Sequence, residues 1–300
     1  MRSLTTKISV NFPDDYKKGR YFSFKLKNSI LIERCEYNQP TQMLVVSDIE
    51  DAFPAFCKIL IRKKVISRHF RWIYNDGHLV ILGNNRREGL PKPEFLWFIY
   101  SLEEQARQNG GHVHFVLGKQ ELYCMGQSWN DHPKYAIKPD HSRSPSTAIF
   151  NGNIELLNWL RSKNVAEKIG SFLFVHKSVL PFIQHSPCSL IEINQSIRST
   201  LKNNVGSAAS IIPMELRTDI MITFGINVLL GHFNVTHIIT GNNIICSAGL
   251  IDTSLKHASG ERRGYLIGKK GIDMISSEGK EKLLLSDIAL TPQSGISSGT

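Results

Sequence analysis

The chain reads as an α/β fold: two packed mixed β-sheets with helices on both outer faces. Two observations predict it. Three times a short buried strand runs into a polar loop at its C-terminal end and then into a helix, the layout of a sheet whose site lies beyond the strand ends. Later, from His237 to Leu285, short strands alternate with Gly-rich turns such as Thr240-Gly241-Asn242-Asn243 and Lys270-Gly271. A second sheet built there and packed on the first gives a sandwich with helices outside.

The elements follow in order. Tyr21 to Glu36 alternates apolar and polar residues on either side of Lys27-Asn28-Ser29, which predicts a β-hairpin. Residues 1–42 are therefore expected to be an N-terminal extension and hairpin packed on the core, with residues 43–300 as one domain. Met43-Leu44-Val45-Val46 is a strand ending at Ser47-Asp48, and Ala52 to Lys64 carries Phe53, Phe56, Cys57, Leu60 and Ile61 at helical spacing. His78 to Leu82 is a second strand, stopped by Gly83. Pro93 to Asn109 is a helix ended by Gly110-Gly111, and His112 to Leu117 is a third strand, stopped by Gly118. Residues 127–148 turn polar and read as an inserted surface loop. Ile149 to Ser162 is helical, Phe172 to Val175 is a buried strand ending at His176, and Ser189 to Lys202 is an amphipathic helix. Val228-Leu229-Leu230 is expected to lead, as a strand, to Gly231-His232. His112, His114 and His132 have no ligand partner in the sequence and read as structural.

A chain of 300 residues buries a large core, and 41% hydrophobic with 21% charged residues excludes a disordered polymer. The net charge is +10. Two readings of it stay open: a solvated basic surface, or attraction to phosphorylated, nucleic-acid or acidic-membrane partners. Lys and Arg are spread along the chain without an RNP or zinc-finger pattern, so no dedicated nucleic-acid module is expected. The five cysteines (Cys35, Cys57, Cys124, Cys188 and Cys246) form no CxxC pair, which excludes a zinc knuckle or disulfide framework and fits a reducing compartment. The N-terminus lacks a secretory h-region, and no apolar run approaches the ~20 residues of a membrane helix. A cytoplasmic protein without a membrane segment is expected.

The strand ends carry the chemistry. They are Ser47-Asp48-Ile49-Glu50, Gly83-Asn84-Asn85-Arg86-Arg87-Glu88-Gly89, Gly118-Lys119-Gln120-Glu121, Val175-His176 and Gly231-His232-Phe233. In order and spacing they resemble the D-x-H, G-D-x-x-D-R-G, G-N-H-E, His and G-H motifs of calcineurin-like metallophosphoesterases. Flanking text is similar to the bacterial, Shewanella-like protein phosphatase branch: Gly110-Gly111-His112-Val113-His114, His132-Pro133-Lys134-Tyr135, Trp159-Leu160-Arg161-Ser162-Lys163 and Ile193-Asn194-Gln195-Ser196-Ile197-Arg198. The resemblance implies a four-layer αββα sandwich and a site where two divalent ions activate a bridging water and clamp a phosphate.

Position by position, the resemblance also implies a dismantled site. Asp48, His176 and His232 are the retained family ligands, although any of them alone reads as easily as a helix cap or a satisfied histidine. Glu50 replaces the His of D-x-H, and Asn84 replaces the bridging Asp. Arg87 and Glu88 stand where the second Asp and its Arg belong. Lys119 replaces the ligand Asn, and Gln120 the acidic His. Arg217 remains as a candidate phosphate clamp. A protonated Lys119 has no lone pair for a metal. At ~4 Å from a second cation it costs about 4 kcal/mol even at an effective dielectric of 20. Gln120 cannot protonate a leaving alkoxide. The reading is a pseudophosphatase without a bound cofactor, its basic groove open to a phosphorylated or acidic protein. The alternative is a weak phosphoesterase holding one hard ion (Mg, Mn or Ca) on Asp48, Glu50 and Asn84. Lys119 is further expected to pair with Asp48 or Glu50 in place of the missing metal charge.

Overall fold

The computed structural model describes residues 7–11, 21–47, 49, 53–83, 93–118, 121–122, 125, 155–176, 179–180, 183, 188–203, 228–240, 243–246, 249–252, 263–269 and 271–286. Two mixed six-stranded sheets dominate the described residues. In the first, β4 (Gln42–Ser47), β5 (His78–Leu82) and β6 (His112–Val116) run parallel, and β12 (Arg263–Gly268), β13 (Gly271–Ser276) and β14 (Glu281–Ser286) add antiparallel beyond β4. In the second, β8 (Phe172–Val175) is parallel to β9 (His237–Ile239) and antiparallel to β7 (Ala166–Ile169). The order there is β11 (Gly249–Asp252), β10 (Asn243–Cys246), β9, β8, β7 and β3 (Glu36–Tyr37).

Alternation along these strands builds the layers. Met43, Val45, Val80, Leu82 and Val116 face inward and meet Ile169, Phe172, Phe174 and Ile239 of the opposite sheet. The intervening residues Leu44, Val46, Leu79, Ile81, Val113 and Phe115 face outward into a second core. That core includes Phe53, Phe56 and Leu60 of α1 (Phe53–Arg62) and Leu96, Phe98 and Leu102 of α2 (Pro93–Gln108). Each fully buried side chain of this kind contributes roughly 1.5–3 kcal/mol. Beside α2, α3 (Glu155–Arg161) packs Trp159 on Phe115 of the first sheet and on Tyr100. Over the second sheet, α4 (Leu190–Asn203) supplies Ile193 and Ile197 and bonds Ala166 through Asn194. The sandwich with helices on both outer faces is therefore the observed architecture.

Helix ends follow their residues. Val65 N–H bonds Leu60 O at 2.8 Å and Lys64 takes φ 55, closing α1. Gly110, at φ 79, does the same for α2, with Gly111 N–H on Ala106 O at 2.9 Å. Ser189 and Glu192 form a reciprocal capping box at the start of α4.

Two expectations are corrected. The strand Tyr21–Lys25 (β2) pairs antiparallel with Lys7–Asn11 (β1), not across Lys27-Asn28-Ser29. The residues beyond that turn include Leu31 and Ile32, which stay 73% and 67% exposed and so gain nothing from a buried sheet face. Phe22, Phe24, Leu26 and Ile30 nevertheless pack on the main core. Residues 228–232 are helical, not a strand. Leu229, Leu230 and Phe233 are buried at helical spacing, Phe233 N–H returns to Leu229 O at 3.0 Å, and Asn234 at φ 49 ends the turn. The 127–148 segment lies outside the described residues.

Candidate functional site

Four of the five expected strand ends converge at one end of the sandwich. Ser47 closes β4, Gly83 follows β5 and Gly118 follows β6, all at the C-terminal ends of parallel neighbours. The second sheet reaches the same end. Leu117 N–H donates to Asn164 O at 2.8 Å, and Asn164 lies just ahead of β7. Ala166 in turn pairs with Val175, which places His176 beside this rim with only 2% of its surface exposed.

The loop bases are locked by small residues and one acid. A Cβ on Gly83 would come closer than the 3.0 Å that real Cβ atoms keep to Gly118 N and to a Glu121 carboxylate oxygen. Glycine is required there because two strand ends approach backbone to backbone. Glu121, fully buried, accepts the Gly118 N–H at 3.0 Å, and Gly83 N–H donates to Val116 O at 2.7 Å. Glu121 was legible as the last letter of the Gly118–Glu121 motif, but its task of holding the loop base is visible only in three dimensions.

The fifth strand end is elsewhere than expected. His232 sits exposed in the helical turn, its Nε2 3.1 Å from Cys188 O and its ring edge-on to Phe233. The strand that runs parallel to β8 is β9, in which Ile239 pairs with Phe174. One step beyond, buried Thr240 ends it beside Val175. Thr240 therefore occupies the strand end that Gly231-His232 was expected to hold. Arg263, one step beyond the Gly264–Val46 pair, stands next to Ser47 on the same rim and was not singled out from the sequence. Asp48, Glu50, Asn84, Arg87, Lys119, Gln120 and Arg217 lie outside the described residues, as does the expected Lys119 ion pair.

A second polar cluster, absent from the sequence reading as a unit, lies between the sheets along the β6 and β7 edges. His114 Nδ1 is 2.6 Å from Glu167 Oε2, and its Nε2 is 2.9 Å from His78 Nδ1. Tyr37 stands edge-on to His114, with ring centroids 4.6 Å apart, and the His112 ring centroid lies 4.4 Å from that of His114. Burial drives the imidazoles toward their neutral forms: His78 and His114 are pushed down to about 3, and His112 to about 4. Burial also raises the Glu167 carboxyl to about 7, against the Asn164 amide that bonds it at 2.9 Å. Next to it, burial opposes the charges of Glu103 and Lys163. Their 2.6 Å ion pair, joined by Glu33 and Lys27, outweighs that, so the Glu103 carboxyl stays below and the Lys163 ammonium above its ordinary range. The signal for the histidines was in the text, as the alternating His112-Val113-His114; their partner Glu167 had none.

No protein-family description matches the chain, and no curated protein matches it. Solved structures do. The chain is similar to a mutant cold-active protein tyrosine phosphatase, with a TM-score of 0.69, 23% identity, and 92% of this chain against 90% of that one covered. A second structure of a cold-active protein tyrosine phosphatase superposes with a TM-score of 0.67 at 22% identity, over 93% of this chain and 88% of that one. The enzyme from a psychrophilic Shewanella species gives 0.64 at 21%, over 92% and 90%. The chain has the fold of these solved structures, two packed mixed sheets with helices outside.

Proposed function

We propose that this chain is a pseudophosphatase: a metallophosphoesterase-type scaffold whose two-metal chemistry has been lost and whose site end serves binding or regulation. The observation that carries the reading is a contrast at the strand ends. The framework is retained, with Gly83 against Gly118 and Glu121 holding the loop base. The residues that follow these two glycines in the sequence are Asn84 in one loop and Lys119 with Gln120 in the other.

The donor set does not fit a two-metal centre. A bridging position needs a carboxylate, and Asn84 offers a neutral amide. Lys119 carries positive charge and no lone pair at a ligand position. Thr240 ends the strand that would carry the last histidine, while His232 is exposed on a helical turn. Asp48 and His176 are what is left of the family ligands. Arg217, with the basic balance of the chain, favours a phosphorylated or acidic protein as the bound partner, and a cytoplasmic setting is part of the same proposal.

The test is direct. With p-nitrophenyl phosphate or phosphotyrosyl peptide and Mn²⁺, turnover by the purified chain is expected to equal that of Asp48→Ala. Turnover that tracks the protein and disappears in Asp48→Ala overturns the proposal and selects the single-ion phosphoesterase instead.

A further inference from the structure

A shallow groove of about 480 Å³, lined by none of the candidate-site residues, lies between the C-terminal half of α1 and the loop that follows. Its floor is aliphatic: Ile61, Ile66 and Ile73, the last 46% exposed. Its rim is cationic: Lys58, Arg62 and Arg68, all exposed. Between Phe53 and Asn75 the chain has six Lys or Arg residues and no Asp or Glu. Lys63 is drawn to Glu281 at 2.7 Å, but among the described residues no carboxylate pairs with Lys58, Arg62 or Arg68.

Local helix physics explains only part of this. Arg62, Lys63 and Lys64 at a helix C-terminus complement the macrodipole. Lys58 does not, and as an i,i+4 like-charge neighbour of Arg62 it works against the helix. Arg68 is in the loop and complements no helix. The groove is also held in shape. Ser67 N–H bonds Arg71 O at 2.7 Å, Ile73 N–H bonds Val65 O at 3.0 Å, and Ile66 bridges Trp72. The Arg62 guanidinium packs on Gly279 (φ 96), where a Cβ would approach it closer than 3.0 Å.

We propose that this groove docks an acidic peptide segment carrying one aliphatic anchor residue. The anchor enters between Ile61 and Ile73, over the fully buried Ile66, and flanking carboxylates meet Lys58, Arg62 and Arg68. Nucleic acid fits less well because no aromatic side chain lines the groove to stack a base. An anionic membrane fits less well because, of the apolar residues lining the groove, only Ile73 is exposed.

The experiment is fluorescence anisotropy on the full chain with a short labelled peptide of Glu and Ser around a single Leu. Comparison probes are the same peptide with Ser for Leu, oligouridylate, and phosphatidylserine vesicles. Saturable, salt-sensitive binding of the Leu peptide is expected, weakened about tenfold in Lys58→Gln/Arg62→Gln/Arg68→Gln by loss of three rim charges. Ile73→Ser, which leaves the charge intact, and Arg68→Gln alone, in the loop, each weaken it several-fold at unchanged Tm. Absence of binding, equal affinity in all the variants, or stronger binding of oligouridylate or vesicles than of the Leu peptide overturns the proposal.

Discussion

Replacing His114 by Gln should flatten the acid side of the protein's stability profile. His114 is buried between the sheets, bonded to Glu167 and His78, and burial pushes its pKa from 6.5 down to about 3. An unfolded chain exposes an ordinary imidazole that takes a proton near pH 6.5. The folded chain refuses that proton until about pH 3, so the unfolded state binds more protons across that window and stability is lost as pH falls through it. The slope approaches about 1.4 kcal/mol per pH unit for one such group once the unfolded imidazole is protonated, which integrates to about 2.7 kcal/mol between pH 7.5 and 4.5. Glu167 works the other way, because a carboxyl raised to about 7 adds stability as pH falls from 7 toward its ordinary 4.5. Gln carries no titrating proton yet can still donate an amide N–H to Glu167. At pH 7.5 the variant should lose about 1–3 kcal/mol from the disturbed buried network. Its loss on going to pH 4.5 should be smaller than the wild-type loss by about 2–3 kcal/mol. Urea unfolding of both proteins at pH 7.5, 6.5, 5.5 and 4.5 measures this, these being the ~1-unit steps that bracket the window. Parallel profiles would refute the reasoning, since His114 would then titrate alike in both states.

Other consequences follow from the same interior. Lys163→Met removes one of two cations from the buried Glu103 carboxylate, leaving it Lys27 and the Trp159 N–H, so urea unfolding at pH 7 should show a loss of about 1–3 kcal/mol. Adding Glu103→Leu should return part of that loss, and full additivity of the two losses would contradict the pairing. Gly83→Ala forces a methyl against Gly118 and Glu121 and should cost about 1–3 kcal/mol, read as a lower Tm; a neutral result would mean the strand ends are not in contact.

Much of the sheet was legible because strands buried on both faces are short apolar runs bounded by Gly or polar residues. His78–Leu82 and Phe172–Val175 appear where such runs predict them, and α2 stops at the glycine that ends it. Ala166–Ile169 was missed because Glu167 and Lys168 make half of it charged. The bonds of Glu167 to His114 and Asn164, and a 2.9 Å bond from Lys168 Nζ to Phe233 O, explain their place in a strand. Val228-Leu229-Leu230 misled for the opposite reason. Three apolar residues fit either period, and the next contact, Phe233, lies beyond the glycine taken as a strand end. That single misreading put the fifth strand end at His232, which lies on a helical turn ahead of β9. The glycines at the β5 and β6 ends were readable because they do a steric task independent of any metal.

Metal titration tests the central claim most directly. Purified chain, stripped of divalent ions and titrated with Mn²⁺ and Zn²⁺ by calorimetry, is expected to show no saturable uptake of two ions per chain, and Asp48→Ala is expected to give the same trace. Stoichiometric binding of two ions, abolished in Asp48→Ala and in His176→Ala, would contradict the account and show that the two-metal centre still assembles.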